Sequence, residues 1–370
     1  MSEPSPAVRY GMFIMPFHAP EKPIAQGYDE DLELIIKAEE LGFEEFWIGE
    51  HHTMKYETIV MPEMFICRAL GETSNIRFGP APICLNQHHP AHVASRLAQL
   101  DHMSKGRLNL CFGPGSVTAD QELYGVDPKA GGEMSLEAID CILKLWSTDP
   151  PYKHEGKYWQ FNLAEHVDSE SLIGFIHKPY QQPTPPISMP GMSRNSYSMK
   201  VAAQRGWDPF AHCLVAGNVV ADLWKTYEAA GLEANQQPNR ANFKVARSIF
   251  LADTTAEAVE KARTNSLGKN YEYIGHLFDK GLGRRIYKRD LDMPDSECQL
   301  DWLMTEQIIA GDVDEVLRRL LELWEETGGF GWLELMSYDW DDKASWTHSM
   351  ELFAKELMPA FNKAVGALPA

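Results

Sequence analysis

The chain has 370 residues, longer than most single domains but within the range of an α/β barrel. Apolar residues make up 44% and charged residues 24%, as in ordinary globular proteins, while 53 acidic against 34 basic residues give a formal charge of −19. That surface repels nucleic acid and anionic lipid, no apolar run approaches the ~20 residues of a membrane span, and the opening MSEPSPAVRY lacks a leader pattern. A cytoplasmic protein without nucleic-acid or membrane partners is therefore expected.

In chain order, what recurs is strand then helix. An apolar run at Val8–Phe17 precedes a helical pattern at Asp29–Gly42, closed by a glycine that tolerates positive φ. Strands at Glu44–Glu50, Ile76–Asn86 and Gly106–Ser116 alternate with helices at Pro62–Ser74, Pro90–Ser104 and Met134–Ser147. Two of those helices open on proline, which suits a first helical position. A looser stretch rich in Pro, Tyr and Trp runs from Thr148 to Gln182. Strands then follow at Pro186–Ser193, Trp207–Leu214 and Phe243–Asp253, with helices at Ser196–Gly206, around Val219–Gly231 and at Thr254–Ser266. Leu267–Leu300 fits no simple unit and reads as a mobile insertion loop after the seventh strand and helix. An amphipathic helix at Asp312–Gly328, a strand at Gly331–Trp340 and a helix at Ser345–Ala364 end the pattern.

About eight strands alternating with helices imply a parallel sheet covered on both faces. The first strand ends in MPFHAP rather than in the glycines of a dinucleotide fold. The expected fold class is therefore α/β, a TIM-like (β/α)8 barrel filling 1–370 as one domain, with 267–300 as its insertion. Of the six cysteines, only Cys298 lies in a polar context, and no two form C-x-x-C. They read as reduced, mostly buried thiols.

In such a barrel the chemistry sits at the carboxyl ends of the strands. The second strand ends in Glu50, His51 and His52. Side chains alternate along a strand, so Glu50 and His52 share one direction and His51 takes the other. Neither EHH nor HHP matches a metal-ligand spacing, and no metal is expected. His51 reads either as a proton-transfer group or as a packed loop histidine. The turn Met189–Ser196 precedes a helix and offers free N–H groups, which suits a phosphate and equally an ordinary capped helix. FGPGS, which includes Gly113, is a tight turn or a phosphate cradle. Pro80 and Pro82 interrupt a central strand and imply a bulge or a cis bond.

GFEEFWIGEHHT, APICLNQHHPAHVASRLAQLDHMSKGRL, FGPGSVTADQELYGVDP, MPGMSRNSYSMKVAAQRGW and MELFAKELMPAF together resemble the bacterial-luciferase-like flavin-dependent monooxygenases, the limonene-monooxygenase-like subgroup in particular. The resemblance implies an enzyme that takes reduced FMN from a separate NAD(P)H:flavin reductase. It would use O2, through a flavin hydroperoxide, to oxygenate a small apolar substrate, and would work as a homo- or heterodimer. It places His51 beside the flavin as the catalytic group, and Pro80, Ala81 and Pro82 under the ring, with Ala81-Pro82 the natural site of a cis peptide. Gly113 joins the cofactor-binding positions, and Gly191, Met192 and Ser193 hold the phosphate. Met12, Phe13, Trp47, Phe78, Trp159 and Trp332 are candidate pocket linings. Relatives often open the helix after the fourth strand with a phosphate-clasping arginine; here that stretch reads GGEMSLEAID, with Glu133 or Met134 at the place and Lys129 nearby. That departure keeps a non-catalytic or flavin-binding subunit of a heterodimer open as an alternative, alongside a deazaflavin-dependent oxidoreductase.

Overall fold

The computed structural model describes residues 8–280 and 283–366. These form two compact units, one from the residues up to Trp47 together with those from Met189 onward, the other from Ile48–Ser188.

β1 (Arg9–Ile14) leads to α1 (Ile24–Glu40), which starts five residues before the expected Asp29. Gly27 hides that first turn in the sequence, because glycine is a poor helix former. The reason for it is tertiary: a Cβ there would lie 3.1 Å from the His18 imidazole. β2 (Glu45–Ile48) and α2 (Pro62–Leu70) follow, the helix opening on proline as expected. The third strand is broken into β3 (Arg77–Pro80) and β4 (Ile83–Cys84), and the Ala81-Pro82 peptide between them is cis, as the two prolines implied. α3 (Pro90–Ser104) matches its expected bounds; the His89 ring accepts from the Ala91 N–H at 3.2 Å, and Lys105 closes the helix at φ 55°.

β5 (Leu110–Gly113) is followed by a short helix, α4 (Thr118–Leu123), that the sequence did not announce. α5 (Gly131–Ser147) comes next. The loose stretch holds an antiparallel hairpin, β6 (Tyr152–Glu155) with β7 (Gln160–Leu163). Its turn is set by a distant group: the Glu137 carboxylate accepts N–H groups of Lys157, Tyr158 and Trp159 at 3.2, 3.1 and 2.9 Å. Local sequence cannot show such a cap.

β8 (Ile187–Gly191), α6 (Tyr197–Arg205), β9 (Asp208–Ala211) and α7 (Gly217–Glu233) fall where expected. The seventh strand divides at Ser248 into β10 (Lys244–Arg247) and β11 (Ile249–Leu251), because the halves pair differently, β10 with β9 and a later strand, β11 with a short one. α8 (Thr255–Thr264) precedes α9 (Ser266–Asp279), which corrects the reading of Leu267–Leu300 as a loop. Leu267, Tyr271 and Ile274 are buried at helical spacing, and Asn265 accepts from the Leu267 N–H at 3.0 Å. A 3-10 turn at Arg284–Tyr287 follows, pinned by two 2.9 Å bonds from Arg284 to Asp279. α10 (Leu300–Glu306) and β12 (Ile309–Gly311) were missed. α11 (Val313–Thr327) is capped by Asp312 and ends at Gly328, φ 72°, as read; β13 (Trp332–Ser337), α12 (Lys343–Leu352) and α13 (Met358–Val365) end the described elements.

In the first unit β1, β13, β10 and β9 pair in parallel, in that order. In the second, β4 pairs with β5, and β5 with Ile187 and Ser188 of β8, also in parallel. The cysteines agree with the expectation of mostly buried thiols: all six are free and five are buried, Cys298 among them despite its polar sequence context, while Cys67 is exposed. Cys67 has apolar sequence neighbours, but it lies on the face of α2 opposite the buried Phe65, Ile66 and Ala69.

Two polar clusters anchor the first unit. On its strands, the Lys244 ammonium lies 2.5 Å from Glu45 and 3.9 Å above the Trp332 ring, and Trp47 Nε1 donates to Glu45 at 2.7 Å. Burial opposes ionisation of Glu45, but Lys244 outweighs it and holds the carboxyl below its ordinary range. Glu334, raised well above that range by burial and by the Glu45 charge, stays neutral. The close approach needs glycine at position 11, where a Cβ would come 2.0 Å from Glu334.

The second cluster joins β1, α1 and β13 through His18, whose nitrogens meet Asp339 at 2.6 Å and Asp31 at 3.0 Å. Burial disfavours the cation, yet the two carboxylates outweigh it and raise His18 to about 9. Because that lies above the ordinary value of ~6.5, the stabilisation is complete below pH ~6.5 and is lost as pH climbs through about 9. Thermal melts from pH 6 to 10 should reveal a loss on the order of 3 kcal/mol that a His18→Gln variant lacks. Equal pH profiles for the two proteins would remove His18 from this role.

Candidate active site

The polar residues after β2 separate by direction, as strand alternation requires. Glu50 Oε1 accepts from His52 Nε2 at 3.0 Å and from His88 Nε2 at 2.6 Å, while its Oε2 accepts from the Cys84 N–H at 3.2 Å. These bonds overcome the cost of burial and lower Glu50 to about 2. The Tyr124 hydroxyl meets His52 Nδ1 at 3.0 Å. His88 comes from another strand end, so sequence spacing could not reveal that Glu50, His52 and His88 place three ligand-type atoms within 4.8 Å of one another. The expectation of no metal rested on that spacing. In the structure the same atoms satisfy each other as hydrogen-bond partners.

His51 turns the other way. Its Nε2 lies 3.2 Å from Glu57, and its Nδ1 lies 3.7 Å from Asp120, with 17% of the side chain exposed. It does not face bulk solvent. Both acids are buried. Asp120, on α4, also clamps the loop by accepting the His52 and Thr53 N–H groups at 3.2 and 2.7 Å. Burial disfavours an imidazolium, but Glu57 first and Asp120 second outweigh it and raise the His51 pKa. Burial opposes ionisation of Asp120 too, but the neighbouring His51 and the bonds from Thr53 lower it to about 2, whereas burial first and the Asp120 charge second outweigh His51 and raise Glu57. Sequence reasoning missed both acids. Glu57 carried no signal, and Asp120 could have been found only by reading TADQEL as a helix returning to the strand ends.

The expected cofactor positions of this unit gather around the same loop. Ala81 is buried and its N–H donates to Ile48 at 2.8 Å, between Pro80 and Pro82 at the β3–β4 break. Gly113 ends β5 directly opposite Cys84, the residue bonded to Glu50. Beyond it, Asn86 is buried and, among the described residues, neither of its carboxamide atoms is partnered, nor are Gln87 Oε1 and Ser135 Oγ. A Cβ at Gly131, the first residue of α5, would fall 2.7 Å from Asn86 Nδ2. Orphaned buried amides beside a glycine cradle fit a polar ligand group. Neither residue near the missing arginine serves there: Lys129 is exposed, and Glu133 is paired with Lys157 and Tyr158.

In the first unit Gly191 ends β8, and a Cβ there would strike Leu223 at 2.7 Å. Met192 is half-buried and Ser193 exposed. No side chain caps α6, since the Ser196 and Ser198 hydroxyls bond each other at 2.8 Å, leaving its first N–H groups available to an anion. Arg194 and Asn218 both donate to the Arg289 carbonyl, at 2.8 and 2.9 Å, which fastens the end of the inserted segment to this turn. Of the candidate linings, Met12, Phe13, Trp47, Phe78 and Trp332 are buried. Trp332 is instead occupied by Lys244, and half-buried Trp159 packs edge-on against His89 at 5.8 Å.

The model of the luciferase-like monooxygenase family matches residues 8–330. The chain is 28% identical to 3,6-diketocamphane 1,6-monooxygenase of Pseudomonas putida, over 95% of this chain and 98% of that one. It is also 28% identical to limonene 1,2-monooxygenase of Rhodococcus erythropolis, over 97% and 88%. Among solved structures, the oxygenating constituent of 3,6-diketocamphane monooxygenase from Pseudomonas putida, in complex with FMN, matches with a TM-score of 0.86 at 28% identity, covering 95% of this chain and 98% of that one. The fold is α/β of the TIM-like barrel class that the strand–helix alternation implied. Among the described residues, no helix is long and apolar enough to cross a membrane.

Proposed function

Since the chain belongs to the luciferase-like monooxygenase family, we propose that it is the oxygenase component of a two-component, FMN-dependent system. The observation that carries this reading is the likeness, over 95% of the chain, to an oxygenating constituent solved with FMN. Reduced FMN, when bound, would supply the two electrons that let O2 give one oxygen atom to an organic substrate and the other to water. A separate NAD(P)H:flavin reductase would deliver it, and the oxygenase would work as a homo- or heterodimer.

The chain's own residues then divide the remaining work. Ala81, between Pro80 and Pro82, and Gly113 would shape the floor for the ring system. The uncapped start of α6 with Gly191, Met192 and Ser193 would take the phosphate. His51 is the catalytic group. With Nε2 committed to Glu57, and Nδ1 at 3.7 Å from Asp120 and beyond hydrogen-bond reach, the Nδ1 proton is the one it can give to oxygen leaving as water. Glu57 and Asp120 both favour the protonated imidazole.

Equilibrium titration under anaerobic conditions tests the cofactor assignment. Reduced FMN should bind at least about tenfold more tightly than a deazaflavin of the same redox state, a difference of about 1.4 kcal/mol. Preference for the deazaflavin would move the chain to hydride transfer.

A further inference from the structure

Arg247 is the last residue of β10, 3% exposed, in the first unit. Among the described residues it has one hydrogen bond, from Nη1 to the Ala246 carbonyl at 2.7 Å, and no ion pair. Of the groups that act on it electrostatically, Glu326 is the only carboxylate, and Glu326 is already paired with Arg289. The others are Tyr271 and Cys213. A buried guanidinium without a counter-charge costs several kcal/mol, and replacing it with an apolar side chain is often stabilising. Its retention therefore asks for a partner.

The surroundings name the partner's chemistry. The Ser248 hydroxyl lies 2.7 Å from the Tyr338 hydroxyl and 3.1 Å from that of Tyr271. Tyr287 stacks on Tyr271 with centroids 6.0 Å apart, and its buried hydroxyl has no hydrogen-bond partner among the described residues. Burial raises all three phenols and pushes the Cys213 thiol up to about 12, so none of them carries negative charge at neutral pH. The cation thus acts on the neutral Tyr271 and Cys213, and Tyr271 in turn meets the Ser248 hydroxyl and stacks on Tyr287, all groups that carry a hydrogen to donate. Arg247, Cys213 and Tyr338 lie at or just beyond the carboxyl ends of three adjacent parallel strands, β10, β9 and β13, where α/β proteins bind ligands. The inserted segment supplies Tyr271 and Tyr287.

We propose that Arg247, with the Tyr271 and Tyr287 hydroxyls, binds an oxyanion, either a carboxylate or a phosphate ester, carried by a ligand of this protein. The site does not depend on the flavin assignment, so the test begins without flavin. Inorganic phosphate and benzoate are titrated into the full chain by calorimetry at constant ionic strength. At least one should bind saturably, and Arg247→Met should weaken it about ten- to hundredfold, as loss of charged hydrogen bonds predicts. Without added anion, Arg247→Met should melt at the same or a higher temperature than wild type. Tyr287→Phe, which removes only the orphan hydroxyl, should keep the fold and weaken the same anion. FMN and riboflavin then separate the sources. If Arg247→Met weakens FMN but not riboflavin, the oxyanion is the flavin phosphate; if it leaves both unchanged while benzoate binding is lost, the oxyanion is a substrate carboxylate. The proposal is overturned if neither anion binds wild type saturably, if the variants bind as wild type does, or if Arg247→Met melts well below wild type with no anion present.

Discussion

His51→Ala should lower oxygenation turnover by about 10²- to 10⁴-fold and also destabilise the protein by about 3–5 kcal/mol. The first effect follows from the loss of the imidazole that lies between Glu57 and Asp120 at the end of the second strand. The second follows from what remains: among the described residues the buried Glu57 carboxylate has no hydrogen-bond partner, and its ion pair with His51 is what offsets its charge. A histidine that merely packed a loop would give a small stability change and no turnover effect. Burial already raises Glu57, and the variant raises it further, so its folded pKa lies above the unfolded one and stability is retained at low pH and lost as pH rises. Chemical denaturation at pH 5 and pH 8 reads this directly. Adding Glu57→Gln to His51→Ala should restore much of the stability and none of the turnover. If the double variant is as unstable as the single one, the buried charge is not the cause.

Lys244→Met carries a comparable cost, about 3–5 kcal/mol at neutral pH, and it leaves the groups around His51 untouched. The ammonium is what allows Glu45 to stay ionised inside the first unit, where Glu334 is already neutral. Without it, two buried carboxyls face each other and both must be protonated to stay buried. Their folded pKa values then lie above the unfolded ones, so the variant should be closest to wild type near pH 4–5 and should lose stability steadily toward pH 8. Denaturant midpoints across that range check the sign. A pH-independent deficit would point to lost packing against Trp332 rather than to charge.

What the sequence made legible tracks how local each signal is. Pro90 and Ser104 bound a helix because a proline start and a left-handed Lys105–Gly106 close are written within a few residues. The β3–β4 break was legible from Pro80 and Pro82 for the same reason. The strand-end histidines could be placed because alternation fixes Glu50 and His52 against His51. Legibility ended where a partner came from far along the chain. The β6–β7 turn depends on Glu137, the start of α1 depends on the space Gly27 leaves for His18, and the split at Ser248 depends on which strands lie beside each half. The acids around His51 follow the same rule: Asp120 is sixty-nine residues away on a helix of six residues, and Glu57 is one acid among 53 acidic residues. α9 is a different case. Leu267, Tyr271 and Ile274 carry a helical period, but the glycines and basic residues set among and after them weaken that pattern in the sequence.

The reading as a reduced-flavin oxygenase meets its most direct test in one rapid-mixing experiment. The protein is loaded anaerobically with reduced FMN and mixed with oxygenated buffer, and the return of oxidised-flavin absorbance is followed. Bound flavin should return more slowly than free flavin, and His51→Ala should shorten that delay. A time course identical to that of reduced FMN alone, at protein concentrations well above the measured dissociation constant, would contradict the account.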